Sequence, residues 1–135
     1  MLVARPLAPS TTKTAACATT DSVGDLVCIS AGFTGGNYTV TKADPSDYTK
    51  MPAVGVIVSK PTATLAVVQF SLEIKEIYAA LVPGRVYFVG TNGWPSAVPP
   101  APTPGGRAYV QPVGVAVDET VLRLDPAKTM IVRTA

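Results

Sequence analysis

For polar chemistry the 135-residue chain offers nine carboxylates, eleven Lys or Arg side chains and two cysteines, and it has no histidine. Without imidazole, Ser-His-Asp and Cys-His catalysis, the common zinc sites and the ordinary pH switch near neutrality are all removed. The acids do not cluster usefully. Asp44-Pro-Ser-Asp47 lacks the ligand-rich loop of a calcium site and reads as a turn, as do Asp118-Glu119 and Asp125. Ser59 and Lys60 are neighbours on an expected strand, so their side chains point to opposite faces and cannot act as a dyad. "TGG" and "PGG" precede no helix and no Gly-Lys-Ser/Thr, so they do not cradle phosphate. Asn37-Tyr38-Thr39 is a glycosylation sequon, which matters only in a secreted eukaryotic protein.

Cys17 and Cys28 do not have the spacing of a metal knuckle. Cys28 lies in an apolar strand and reads as a small buried side chain, with a disulfide to Cys17 as the open alternative. Trp94 follows an Asn-Gly turn and reads as a tucked-in loop anchor or, alternatively, as an exposed aromatic for a sugar or partner. No catalytic residue, cofactor or metal site is expected, and the chain is read as a non-enzyme.

The elements that would hold these residues are strands. "DLVCIS" (25–30), "YTVTKA" (38–43), "AVGVIVS" (53–59), "GRVYFVG" (84–90), "RAYVQ" (107–111), "VGVAV" (113–117) and "VLRL" (121–124) are short β segments separated by turn residues, and "TMIVR" (129–133) adds a last edge strand. "AGFTGGN" and "KPTA" are expected turns, and Asn92-Gly93 is the strongest tight-turn pair. Residues 64–81 alternate with period two to about Ile77, with a short helical turn expected before Pro83. Residues 95–106 carry five prolines and must form an extended loop. Residues 1–22 show neither period and read as an extended arm. Its deletion to residue 20 is expected to leave the β domain, residues 23–135, folded.

One phrase is written twice. "PAVGVIV" follows "VGDLVCIS", and "PVGVAV" follows "PGRVYFVG". Gly24 precedes Gly55 by 31 residues and Gly84 precedes Gly114 by 30. The halves, about 23–70 and 82–126, read as a pseudo-repeat. Gly55 and Gly114, inside strands, would be equivalent corners where a strand bends or another backbone approaches. The fold class expected is all-β: a small, partly closed barrel or β-tulip-like domain.

Charged residues make up only 15% of the chain and hydrophobic ones 47%, so part of the surface is expected to be covered by other chains. A net charge of +2 without a basic block argues against nucleic acid. The absence of an apolar stretch near 20 residues argues against a membrane-spanning helix.

The stretch "LVPGRVYFVGTNGWPSAVPPAPTPGGRAYVQPVGVAVDETVLRLDP" (81–126), with "VGDLVCIS" and "KMPAVGVIVSKPTATLAVVQF", resembles small virion proteins of tailed bacteriophages, of the capsid decoration (cement) and head-fibre-base type. The resemblance spans about residues 22–133. It implies a virion structural role with self-association or docking on a capsid lattice, and the expectation built on it is a protein made in the host cytoplasm that sits on the outer capsid surface as a homotrimer at local three-fold positions, with the major capsid protein as partner. Expected partner contacts are Trp94, Pro99, Pro100 and Pro102 with Leu2 and Val3 of the arm. The alternative is a host-recognition module with Trp94 and Tyr78 on a carbohydrate or receptor face.

Overall fold

The computed structural model describes residues 11–34 and 36–134. The chain is all-β. Strands β1 (Thr12–Ala16), β2 (Leu26–Thr34), β3 (Asn37–Lys42), β4 (Gly55–Thr62) and β5 (Leu65–Gln69) form a closed barrel in the order β1-β3-β2-β4-β5. Strand β1 closes it, lying antiparallel to β5 (Thr12 opposite Gln69, Ala16 opposite Leu65) and parallel to β3 (Ala15 opposite Tyr38). Five strands enclose little space, and the interior is filled by correspondingly small side chains: Ala15, Cys17, Val27, Val40, Ile57, Ala66 and Val68.

The rest of the chain builds an open sheet. Strands β6 (Leu72–Lys75), β7 (Val86–Val89) and β8 (Pro95–Ser96) are followed by β9 (Arg107–Val110), β10 (Pro112–Asp118), β11 (Val121–Leu124) and β12 (Ile131–Thr134). The sheet order is β6-β11-β10-β7-β8, and β9 and β12 pair separately as an antiparallel ribbon. The inner face of the open sheet packs against the barrel wall. Val27 and Ile57 point into the barrel, so their neighbours Leu26 and Val56 point out, where they join Ile74, Val89, Val113, Leu122 and Leu124 in the larger core.

The internal repeat is real at the level of backbone pairing. Taken as first to fifth strand of each half, barrel and open sheet share one order: β1-β5-β4-β2-β3 and β6-β11-β10-β7-β8. Leu26 faces Val56 and Val27 faces Gly55; Val86 faces Val115 and Tyr87 faces Gly114. The entry turns match as well. The Gly24 N–H donates to the Ile57 carbonyl (2.8 Å) and the Ile57 N–H to that of Asp25 (3.0 Å). The Gly84 N–H donates to Ala116 (2.7 Å) and the Ala116 N–H to Arg85 (3.0 Å). Both entry glycines have positive φ, +99° and +84°, where a side chain is disfavoured.

Several expectations change. Residues 11–22 are not a free arm: β1 is the staple of the barrel, so the repeat starts at about residue 12 and its second half at 72. Residues 1–10 lie outside the described residues, and with them Leu2 and Val3. The alternation through residues 64–77 is two strands, not one. It breaks at Phe70–Ser71, and Leu72, Glu76 and Ala80 adopt left-handed φ (69°, 62° and 58°) where the chain crosses between halves. No helical turn precedes Pro83. Pro61 lies within β4 at a register shift, which tolerates a residue without an N–H, and the turn falls at Ala63-Thr64. The expected turn at 31–37 shrinks to the hairpin tip, because β2 continues to Thr34.

Candidate functional site

Three regions hold the residues that could carry function: the junction between the halves, the outward faces of the second half, and the mouth of the barrel.

At the junction the Asp25 carboxylate is almost wholly buried. It accepts hydrogen bonds from the Ser22 N–H (2.9 Å) and from the Trp94 indole N–H (2.9 Å), with the Lys42 ammonium at 3.9 Å. The Tyr78 hydroxyl donates to the Gly24 carbonyl (2.7 Å), and the two aromatic rings meet edge to face at 5.1 Å. Burial pushes the Tyr78 hydroxyl well above the ordinary tyrosine range and the Asp25 charge pushes it further, so it remains a donor. The indole lies directly over Gly24: a Cβ there would sit 2.5 Å from a ring carbon. This cluster is a latch joining the halves, with every polar group satisfied. Trp94 is thus the loop anchor, and Tyr78 is buried. Both rings face the junction, Tyr78 buried and Trp94 half-buried.

A second polar link is Gln111. Its Oε1 accepts from the Ala53 N–H, and its Nε2 donates to the Ala53 and Ala127 carbonyls, each at 2.8 Å. Among the described residues no buried side-chain polar atom lacks a partner, and no group of three His, Cys, Asp or Glu could hold a metal. Asp44 and Asp47 are turn residues: Asp44 accepts from Ser46 and Asp47 from Thr49, whose hydrogen bonds hold the Asp47 carboxyl below its usual range. Lys60 faces away from Ser59 and donates to the Asp21 carbonyl (2.6 Å). Cys17 and Cys28 are both free and buried, and burial raises both thiols.

Gly55 and Gly114 are equivalent, but as close-approach points in two different sheets, not as two corners of one barrel. A Cβ on Gly55 would lie 2.5 Å from the Gln69 carbonyl oxygen of β5, and one on Gly114 would strike the Arg123 carbonyl oxygen of β11. Gln69 and Arg123 face the residues that follow the two glycines, Val56 and Val115.

The outward faces are aliphatic. Val86 and Val115 stand opposite one another on the solvent side of the open sheet, with Val82 and Val117 also exposed. All four residues of β12 are exposed, Ile131 at 70%. The edge of β6 is blunted, because the Gln69 amide donates to the Ser71 and Glu73 carbonyls (2.8 and 3.1 Å). The proline loop is tied down: Pro100 is buried and its carbonyl accepts from Arg133 (2.9 Å), and Pro99 and Pro102 are half-buried. The exposed valines carry no separate signal in the sequence, because Val115 and Val117 share β10 with buried Val113 and Ala116.

The third region is an apolar cavity of about 200 Å³ lined by Lys13, Ala15, Ile29, Tyr38, Val40 and Phe70. Among its lining residues, the Lys13 ammonium lies 5.9 Å from the centre of the Tyr38 ring.

Comparison with known proteins finds no matching family model, no matching curated protein and no matching solved structure.

Proposed function

We propose that this chain is a structural virion protein that decorates a tailed-bacteriophage capsid, associating with copies of itself as a homotrimer and with the major capsid protein between capsomers. The observation that carries the reading is the outward aliphatic face of the second half, Val86, Val115 and Val117, together with the exposed ribbon strand β12. Aliphatic side chains paired across a solvent-facing sheet are what a protein–protein contact buries. The strand β12 offers a free edge for main-chain pairing among the described residues. Weak contacts suffice when many copies bind one lattice. The phrase that resembles phage decoration proteins includes this face.

The test has two parts. Sedimentation equilibrium of the full chain should give three times the monomer mass, and Val115→Glu should lower it. Co-sedimentation with empty capsid shells should retain the wild-type chain and release the variant. A monomer that ignores capsids would overturn the proposal.

A further inference from the structure

We infer that the outer edge of β12 is a docking site for an extended, acidic strand of another protein, which joins the β9–β12 ribbon by main-chain pairing. The inference rests on the reading of β12 as a partner-facing edge and adds the chemistry of the strand that it takes.

The other strand edges are blocked. The barrel is closed and has none. At the edge of β6 the Gln69 amide occupies the Ser71 and Glu73 carbonyls. Strand β8 is two residues long, begins with proline and ends in a turn where the Ser96 hydroxyl donates to the Val98 carbonyl (3.0 Å). The outer side of β9 is filled, because the Tyr109 N–H donates to the Pro45 carbonyl (2.8 Å). Strand β12 has neither proline nor bulge, and its register with β9 runs unbroken from Ile131 opposite Val110 to Thr134 opposite Arg107. An apolar edge of that kind is a template for pairing.

The Tyr109 bond also fixes which groups of β12 face outward. An N–H directed at Pro45 points away from β12, so Tyr109 and Val132 form a non-hydrogen-bonded pair of the ladder. The Val132 N–H and C=O therefore point to the free edge, where they have no partner among the described residues. A strand laid there gains that pair of main-chain hydrogen bonds and covers exposed Ile131 and Val132. Charge selects the occupant. Exposed Arg107, Lys128 and Arg133 lie on the ribbon and its approach, with no acid in β9 or between Lys128 and Thr134, and none of the three is ion-paired among the described residues. The β12 strand of a second copy would bring like charges together, and the β6 strand of a second copy, which carries Glu73, is closed by Gln69. A foreign strand with carboxylates among apolar residues meets both the open main chain and the unpaired cations.

Amide NMR of the isotope-labelled full chain tests this, with two synthetic valine–threonine peptides as probes, one carrying glutamates and the other lysines. The glutamate peptide should shift the Val132 and Thr134 amides, and the lysine peptide should not. Val132→Pro removes the outward N–H without touching a bond to β9, so thermal unfolding should stay as in wild type while affinity for the glutamate peptide falls about tenfold. Arg107→Glu should weaken the glutamate peptide about threefold and let the lysine peptide bind. Equal binding of the two peptides, or shifts that leave β12 untouched, would overturn the inference. Val132 shifts that grow with protein concentration alone would overturn it too, since they would place a second copy on the edge. Co-sedimentation with capsid shells separates this edge from the capsid role. Shells that retain the chain while the glutamate peptide fails to bind would overturn the acidic-strand site alone, and peptide binding without shell retention would overturn the capsid role alone.

Discussion

In the first half the third strand, β3, runs six residues from Asn37 to Lys42 and reaches β1; its counterpart in the second half, β8, has two residues, Pro95 and Ser96. That difference decides closure. β3 has a free edge long enough to accept β1 in parallel, and the barrel seals. After β8 the chain runs into Pro99, Pro100, Pro102 and Pro104, which have no N–H to donate to a ladder, so no strand reaches back to β6. The open sheet fills its inner face with the outside of the barrel instead, through Leu26 and Val56. One strand path thus yields a self-sufficient barrel and a dependent sheet whose other face, bearing Val86 and Val115, is left to solvent.

The largest effect should follow from breaking closure. Removing residues 1–16 deletes β1, leaves β3 and β5 with unpaired edges and uncovers Val40 and Val68. We expect loss of the cooperative thermal transition by circular dichroism; a preserved transition would show that the barrel does not need its staple. Next comes the latch. Trp94→Ala empties the junction and takes the indole donor from buried Asp25, and should cost about 3–5 kcal/mol in urea unfolding. A cost below about 1 kcal/mol would mean that the halves are held by the aliphatic core alone.

The repeat itself is tested by paired substitutions. Gly55→Val and Gly114→Val each push side-chain atoms into a carbonyl of the neighbouring strand, and each should destabilise by about 2–3 kcal/mol. Unequal costs would break the equivalence. The smallest effects come from the entry turns, where the two halves should part company. Gly84→Ala meets open space and should cost about 1 kcal/mol for its left-handed φ. Gly24→Ala carries the same backbone cost and also drives a methyl into Trp94, so it should cost about twice as much. Chemical denaturation of the two variants side by side reads the difference.

Much of this frame was legible in the residues. Val-Gly-Val-x-Val, with a glycine some thirty residues upstream, identified the repeat, because glycine inside a strand marks a physical requirement, and the structure supplies it as carbonyl close approach. β11 was readable to the residue from "VLRL". Strand β1 was not. "TKTAA" carries no aliphatic alternation, because a five-strand barrel has room only for Ala15 on its inner face and the opposite face is solvent. The break at Phe70–Ser71 was hidden by an alternation that happens to continue across two sheets. Asp25 could not be recognised as buried, because its counterpart in the second half is Arg85, and only the tertiary approach of Trp94 gives the carboxylate its partners.

The parallel pairing of β1 with β3 has a consequence for synthesis on the ribosome. Every strand that the barrel needs lies within residues 12–69, and among the described residues no strand of the second half joins its ladders, although the Gly93 carbonyl accepts from the Leu26 N–H (2.8 Å). The second half, in contrast, needs the barrel wall as its core. At about 5–20 residues per second, the roughly sixty residues after Gln69 take several seconds to be made, while barrel-sized contacts form faster. The nascent chain therefore builds its own template first and then folds a second copy of the same path onto it. Pulse-labelled hydrogen exchange should show the amides of β4 and β5 protected before those of β10 and β11; simultaneous protection would mean that the two copies assemble as one unit.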